Sequence, residues 1–222
     1  MLYVVGTPIG NLEDITLRAL EALKAADLIA AEDTRHSNNL LRHFGIKKTL
    51  VSYHEHNEAM RTAEIIRRLS AGETVALITD AGMPGLSDPG ARLVRKCIEE
   101  ELSVTIVPGI SAITTALVGS GFDLERFCYC GFLPVKSGQR ERELIAAAER
   151  EETTVFFESP YRLTKTLIAC ARLMPQRRLC VAREMTKKFE EFRRGTAAEL
   201  LAHYEARAPK GEITLLVAAR ER

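Results

Sequence analysis

Short apolar runs that each stop at a glycine-rich or acidic loop are what most limit the folds open to this chain. Leu2–Val5, Leu28–Ala31, Val75–Ile78 and Val104–Val107 read as buried strands, and Leu50–Ser52 makes one more. Between them lie stretches with apolar residues at helical spacing, such as Leu17, Leu20 and Leu23 behind Asp14. A short helix before Phe44 ends at Gly45, and another runs from a cap at Asn57 to Ala71-Gly72. Strands alternating with helices specify a mostly parallel sheet with helices on its faces. Four loops then fall on one sheet edge: Gly6–Asn11, Glu32–Arg35, Thr79–Pro89 and Pro108–Ser111. That edge is where open α/β sheets bind ligands.

The longest of these loops closes the stretch Thr74–Gly90, T-V-A-L-I-T-D-A-G-M-P-G-L-S-D-P-G. Asp88-Pro89 has the form of a helix cap followed by a first-turn proline, with a helix from Gly90 to about Glu101. Asp80 and Asp88 flank the loop, and no Lys or Arg lies between them. The chain has neither a G-x-G-x-x-G nor a G-x-x-x-x-G-K-[ST] motif. This balance suits a cationic or neutral ligand better than a polyphosphate.

Gly119-Ser120-Gly121 marks the candidate boundary between domains 1–118 and 119–222. A second series follows, with strands at Phe127–Phe132 and Thr153–Phe157 and a charged helix Gly138–Arg150 between them. Ser159-Pro160 repeats the cap-plus-proline signature before a helix to Leu173. Leu179–Ala182 and Phe189–Arg193 form a hairpin-like pair, Thr196 caps a helix, and Ile213–Ala218 is the last strand. Such pairing predicts a mixed sheet.

No apolar run approaches the ~20 residues that a membrane helix requires, and no basic leader with a cleavage site opens the chain. A cytoplasmic location is the expectation. The five cysteines lack C-x-x-C pairs, which argues against a disulfide framework or a zinc site. His54-x-His56 has no third ligand nearby, so no metal is expected. Charge is uneven: Met1–Gly119 carries 12 Lys+Arg against 15 Asp+Glu, and Ser120–Arg222 carries 19 against 15. The second half is the one suited to an anionic partner.

Eight motifs occur in order: G-T-P-I-G-N-L-E-D-I-T-L-R-A-L, A-E-D-T-R-H, D-A-G-M-P-G-L-S-D-P-G, V-P-G-I-S-A-I-T-T-A-L, G-F-L-P, F-F-E-S-P-Y-R-L, R-E-M-T-K-K-F-E-E and K-G-E-I-T-L-L-V. Over Leu2–Val217 they resemble the ribosomal RNA 2′-O-methyltransferases of the tetrapyrrole-methylase-like class of S-adenosylmethionine (SAM) enzymes. The resemblance implies two α/β domains with a SAM cleft between them, commonly in a homodimer. It also implies methylation of a cytidine ribose 2′-OH in 16S rRNA of the small ribosomal subunit. Relatives usually continue into a small C-terminal helical region; the sequence stops at Arg222, as either a naturally short member or a fragment would.

By the same resemblance, Pro8, Gly10, Asp80, Gly82, Met83, Leu86, Ser111 and Ala112 are cofactor candidates. Phe157, Ala182, Glu212 and Ile213 join them from the second domain. Met83 replaces the acid of a Gly-Asp-Pro in tetrapyrrole enzymes, which shifts weight from carboxylates to backbone. A sulfonium cation is at home in a loop without Lys or Arg. Transfer to a hydroxyl calls for in-line positioning and a base. Asp33 ranks first for the base, with Glu32 and Glu158 also at strand ends and Asp80 a further candidate, and the rival role for each is to pair with Arg35 or Arg162. Phosphate contacts are expected from Lys136, Arg140, Arg183, Lys187 and Lys188, and from Arg35 and Arg162. The alternatives are a methylase of tetrapyrroles or other small metabolites, and a non-catalytic RNA-binding module of the same fold.

Overall fold

The structure is a computed structural model that describes residues 1–220. The chain divides into two compact units, the first Met1–Ser111 and the second beginning at Ala112.

The first unit holds β1 (Leu2–Val5), β2 (Leu28–Ala31), β3 (Thr49–Ser52), β4 (Val75–Ile78) and β5 (Val104–Val107). Its helices are α1 (Leu17–Ala25), α2 (Thr34–His43), α3 (Glu58–Ser70) and α4 (Ala91–Glu99). All ladders are parallel, in the order β3-β2-β4-β1-β5. Alternate strand residues serve opposite layers, as the period of two demands. Val5, Ile29, Ala31, Ala76 and Ile78 pack with α1 and α2 residues, while Leu2, Val4, Ala30 and Leu77 pack with those of α3 and α4. Burial on both faces explains why β1, β2 and β4 are continuous apolar runs, while the less covered β3 and β5 admit Thr and Ser. Helix ends follow the sequence signals at two glycines. Gly45 (φ 66°) and Gly72 (φ 90°) each lie past a helix end, and amide bonds such as Ile46 N to Leu41 O (2.8 Å) close the last turn. Glu101 takes the same role after α4 at φ 54°.

The second unit holds α5 (Ala112–Ser120), β6 (Phe127–Phe132), α6 (Ser137–Glu149), β7 (Thr153–Glu158) and α7 (Leu163–Leu173). It continues with β8 (Leu179–Arg183), β9 (Glu191–Gly195), α8 (Ala197–Ala206) and β10 (Ile213–Val217). The sheet order is β6-β7-β10-β8-β9, with β6 parallel to β7 and the other ladders antiparallel. The fold is therefore two α/β units, one with a parallel and one with a mixed sheet. Helix α5 packs against β8, β9 and β10. A Cβ on Gly119 would run into the Phe192 ring, and Arg194 donates to the carbonyls of Gly119 and Ser120. These contacts place α5 in the second unit, so the contact boundary precedes that helix.

Three local expectations change. The N-cap position of α4 is Gly90 and not Asp88: Gly90 at φ 135° turns the chain, the helix begins at Ala91, and Glu58 takes the Gly90 amide at 3.2 Å. Ser159-Pro160 opens a turn rather than the helix, since Arg162 and Leu163 both donate to Ser159 O at 3.0 Å and α7 starts at Leu163. The strand expected at Phe189 begins at Glu191, opposite Arg183, because turns from Glu184 to Glu190 occupy the residues before it.

Candidate active site

Within the first unit the strands β1, β4 and β5 deliver three loops to the carboxyl edge. Thr7 and Gly82 pair across two of them, Thr7 N donating to Gly82 O at 2.9 Å and Gly82 N to Thr7 O at 3.1 Å. The buried Thr7 hydroxyl donates to Thr79 O at 3.0 Å. The third loop closes on the first. A Cβ on Gly6 would stand 2.7 Å from both Cα and N of Gly109 and 2.7 Å from Met83 Sδ. Only two glycines permit backbones to cross this closely, and Gly82 at φ 83° adds a turn that side chains disfavour. Pro8 and Gly82 are buried, Gly10 and Leu86 exposed, and Asp80, Met83, Ser111 and Ala112 between. Thr7, Gly6 and Gly109 were not singled out from the sequence, although the G-T-P-I-G and P-G-I-S motifs contain them.

Beside this cradle, β2 and β4 end in reciprocal clasps. Glu32 Oε2 accepts the Asp80 amide at 3.3 Å, and Asp80 Oδ1 accepts the Asp33 amide at 3.1 Å. Burial pushes the Glu32 carboxyl above its usual range, and the Asp80 charge adds to that rise. Asp33 behaves oppositely. It caps α2 through the Arg35 amide at 2.8 Å and holds the Arg35 guanidinium at 3.0 Å. Those hydrogen bonds from Arg35 bring the Asp33 carboxyl down to about 2. A group so weakly basic is a poor proton acceptor.

In the second unit, Glu158 is sealed. Its carboxylate takes the Ser159 amide at 2.7 Å, the Thr166 hydroxyl at 2.5 Å and Arg162 Nη2 at 2.8 Å, with no exposed side-chain surface. It fastens β7 to α7. In register across that sheet, Thr214 lies between Phe157 and Ala182, and Ile213 between Glu158 and Arg183. The edge thus gathers Phe157, Ala182, Ile213 and the exposed Glu212.

Several cations are engaged internally. Arg140 is buried and donates to Val135 O at 3.1 Å; Arg162 also donates to Leu133 O at 3.0 Å. Arg183 binds Glu191 at 3.1 Å, and Lys187 is held between Glu184 at 2.9 Å and Glu212 at 2.6 Å. Lys136 and Lys188 are exposed, Lys188 lying over the Phe189 ring, and the Arg35 side chain is 90% exposed. The cysteines are free, and burial pushes Cys97 and Cys180 up to about 11, which suppresses any thiolate. Among the described residues there is no metal-binding cluster, and no helix is long and apolar enough to cross a membrane.

Residues 1–201 match the family model of the tetrapyrrole (corrin/porphyrin) methylases, and the chain belongs to that family. Among its relatives is the ribosomal RNA small subunit methyltransferase I of Thermotoga maritima, 48% identical over 99% of this chain and 99% of that one. The protein of the same name from Mesorhizobium japonicum is 49% identical over 99% of this chain and 76% of its own length. The fold is that of a solved diphthine synthase, with TM-score 0.74 and 15% identity over 98% of this chain and 89% of that one. It is also that of uroporphyrin-III-C-methyltransferase from Thermus thermophilus, with TM-score 0.66 and 23% identity over 98% and 93%.

Proposed function

We propose that this chain transfers a methyl group from SAM to the ribose 2′-hydroxyl of a cytidine in the decoding region of small-subunit rRNA. One observation carries the choice of substrate. Identity to the RNA-named relatives is 43–49%, over at least 97% of this chain. Against the uroporphyrin, cobalamin-pathway and diphthine enzymes it is 15–23%. That difference disfavours the small-metabolite reading.

The first-unit cradle fits SAM. Its loops present backbone, two crossing glycines and no Lys or Arg between Asp80 and Asp88, which suits a sulfonium cation. Pro8, Gly10, Gly82, Met83 and Ser111 would hold it there, with Asp80 alongside. The second-unit set Ala112, Phe157, Ala182, Glu212 and Ile213 belongs to the same reading through the family resemblance. When bound, SAM supplies an activated methyl group that passes to a nucleophilic oxygen. Glu32 is the group suited to accept the hydroxyl proton, since its raised proton affinity brings it nearer neutrality than the paired Asp33, while the Glu158 carboxylate is enclosed by its own partners. Arg35, Lys136 and Lys188 are the exposed cations offered for phosphate contacts. Assembly as a homodimer and residence in the cytoplasm complete the reading and rest on the family resemblance alone.

Calorimetry with SAM and mapping of 2′-O-methyl groups on small-subunit rRNA, with and without the gene, test it. Saturable SAM binding and loss of one ribose methyl group are expected. An unchanged methylation map would refute the RNA assignment. Glu32→Gln is expected to lower kcat by about 10²–10⁴ and leave SAM affinity unchanged. Equal loss of both would make Glu32 a binding residue.

A further inference from the structure

A groove of about 680 Å³ runs between α3 and α4 on one face of the first unit. Both helices lead back from the carboxyl ends of parallel strands, α3 after β3 and α4 after β4. Glu58, the first residue of α3, takes the amide of Gly90, the N-cap of α4, at 3.2 Å, so the two helices start level with one another at the loop edge. From α3 the groove receives Ala59, Ala63 and Ile66, at the i, i+4, i+7 spacing of one helix face, and then Arg67. From α4 it receives Arg92 and Arg95. Two alanines keep the floor low, and the arginines stand along the rim.

The charges here are uncompensated, although Met1–Gly119 as a whole carries 12 Lys+Arg against 15 Asp+Glu. Arg92 and Arg95 are exposed, and their side chains have neither an ion pair nor a hydrogen bond among the described residues. Arg67 spends one N–H on Ala63 O at 3.3 Å and forms no ion pair there either. The neighbouring acids are taken: Glu99 and Glu100 hold Lys96 at 3.4 and 2.8 Å, and Arg61 holds Glu64 at 2.5 Å. Like charges at i, i+3 destabilise a helix, so the Arg92/Arg95 pair is a cost to the free chain. From the level start of the helices, Arg92, Arg95 and Arg67 stand two, five and nine residues in, which staggers them over about 10 Å of the groove. Such a row suits an extended polyanion better than one small anion, and guanidinium groups match phosphate oxygens in pairs.

We propose that the α3–α4 groove is a docking track for the phosphate backbone of RNA, with Arg92, Arg95 and Arg67 each contacting a phosphate. The proposal rests on the reading of the substrate as RNA, and it adds the first unit to the surface that holds the strand. Gly90 closes the Thr79–Pro89 loop, and Arg92 follows two residues later. A strand whose target ribose lies at the loop edge therefore meets Arg92 first and Arg67 last. Contacts of this kind set position and carry no sequence information.

The test measures binding of the full chain to small-subunit rRNA and to an RNA duplex of unrelated sequence, from ~50 to ~200 mM salt. Each phosphate contact contributes about 0.7–0.9 to the slope of log K against log salt. Arg92→Gln/Arg95→Gln is expected to flatten the slope by about 1.4–1.8 on both probes, and adding Arg67→Gln by about 2–3 in all. Affinity at ~0.1 M salt should fall by about 10–100-fold. The charge-matched control is Arg18→Gln/Lys24→Gln, on exposed residues of α1 in the opposite layer, and should leave the slope as it is. Melting within about 4 °C of wild type shows that the fold is kept. An unmoved slope in the groove variants overturns the proposal, and with a loss of self-association beside it assigns the groove to a second copy of the chain. An equal fall in the α1 control overturns it too, since net charge alone would then explain the effect. A wild-type protein that binds RNA and methylates none refutes the proposed function, while the slopes still decide the groove.

Discussion

Removing Arg162 isolates the most deeply enclosed charge in the second unit. Glu158 has no exposed side-chain surface, and its partners are Arg162 at 2.8 Å, the Ser159 amide at 2.7 Å and the Thr166 hydroxyl at 2.5 Å. Arg162→Ala leaves a buried carboxylate with two uncharged donors, and Leu133 O loses its donor as well. Breaking a buried pair from one side costs about 3–5 kcal/mol. In a chain of 222 residues each kcal/mol lowers Tm by about 2–4 °C, so the fall should be about 6–20 °C. Glu158→Gln keeps one acceptor oxygen for the Ser159 amide and turns an amide N–H toward the Thr166 hydroxyl, which can accept, and should cost less. The double variant Glu158→Gln/Arg162→Met removes both charges and should recover at least half of the Arg162→Ala loss. Thermal and denaturant melts of the four proteins, with methylation assayed well below each Tm, read these values. A loss under 1 kcal/mol for Arg162→Ala, or a double variant no better than it, would refute the reasoning. A Glu158→Gln protein with unchanged Tm and methylation down by two orders of magnitude would place Glu158 among the reacting groups.

Gly109→Ala sets a Cβ 2.9 Å from Cα and carbonyl carbon of Gly6, and backbone cannot rotate away. It should destabilise by about 1–3 kcal/mol and lower SAM affinity at least tenfold; calorimetry finding wild-type affinity would separate the crossing from the cofactor. Glu32, with a raised folded-state affinity for its proton, favours folding below its ordinary value of 4.5, and this contribution is lost as pH rises through the folded value. Glu32→Gln should therefore match wild type in Tm at low pH and exceed it at neutral pH, even as turnover falls. Glu101→Gly relieves a side chain at φ 54° in the turn after α4; urea melts should show a gain of about 0.5–1 kcal/mol, whereas a loss would mean that the side chain's own contacts outweigh the strain.

The sheets were legible because burial leaves its mark residue by residue. A strand covered on both faces must be apolar throughout, and four-residue runs such as V-A-L-I admit little else. The edge carrying the loops followed from parallel topology alone. Helix starts were harder. Asp88-Pro89 and Ser159-Pro160 satisfy the local chemistry of a cap, yet a glycine at φ 135° and a turn closed on Ser159 O postpone both helices. The proton affinities of the acids were not legible either. Asp33 and Glu32 are neighbours of one charge type, and only the Arg35 pair on one and burial of the other set them apart. Distant donors decide such differences, and sequence spacing does not record them. His54 was weighed as a metal ligand from H-x-H spacing, when its informative contact is the amide of Asn57.

Strand β1 lies between β4 and β5, with register partners such as Val75 and Val104 for Leu2. Strand β1 therefore has no place to pair until about seventy further residues have followed and β4 is made. At ~5–20 residues per second, β1 spends several seconds or more outside any sheet during synthesis. The segment Leu2–Val5 is wholly apolar or aromatic, so its shelter in that interval must come from outside its own sheet. Long-range closure of this kind also slows folding. A fold that gathers its loops along one edge thus makes the nascent chain dependent on its surroundings until β4 emerges.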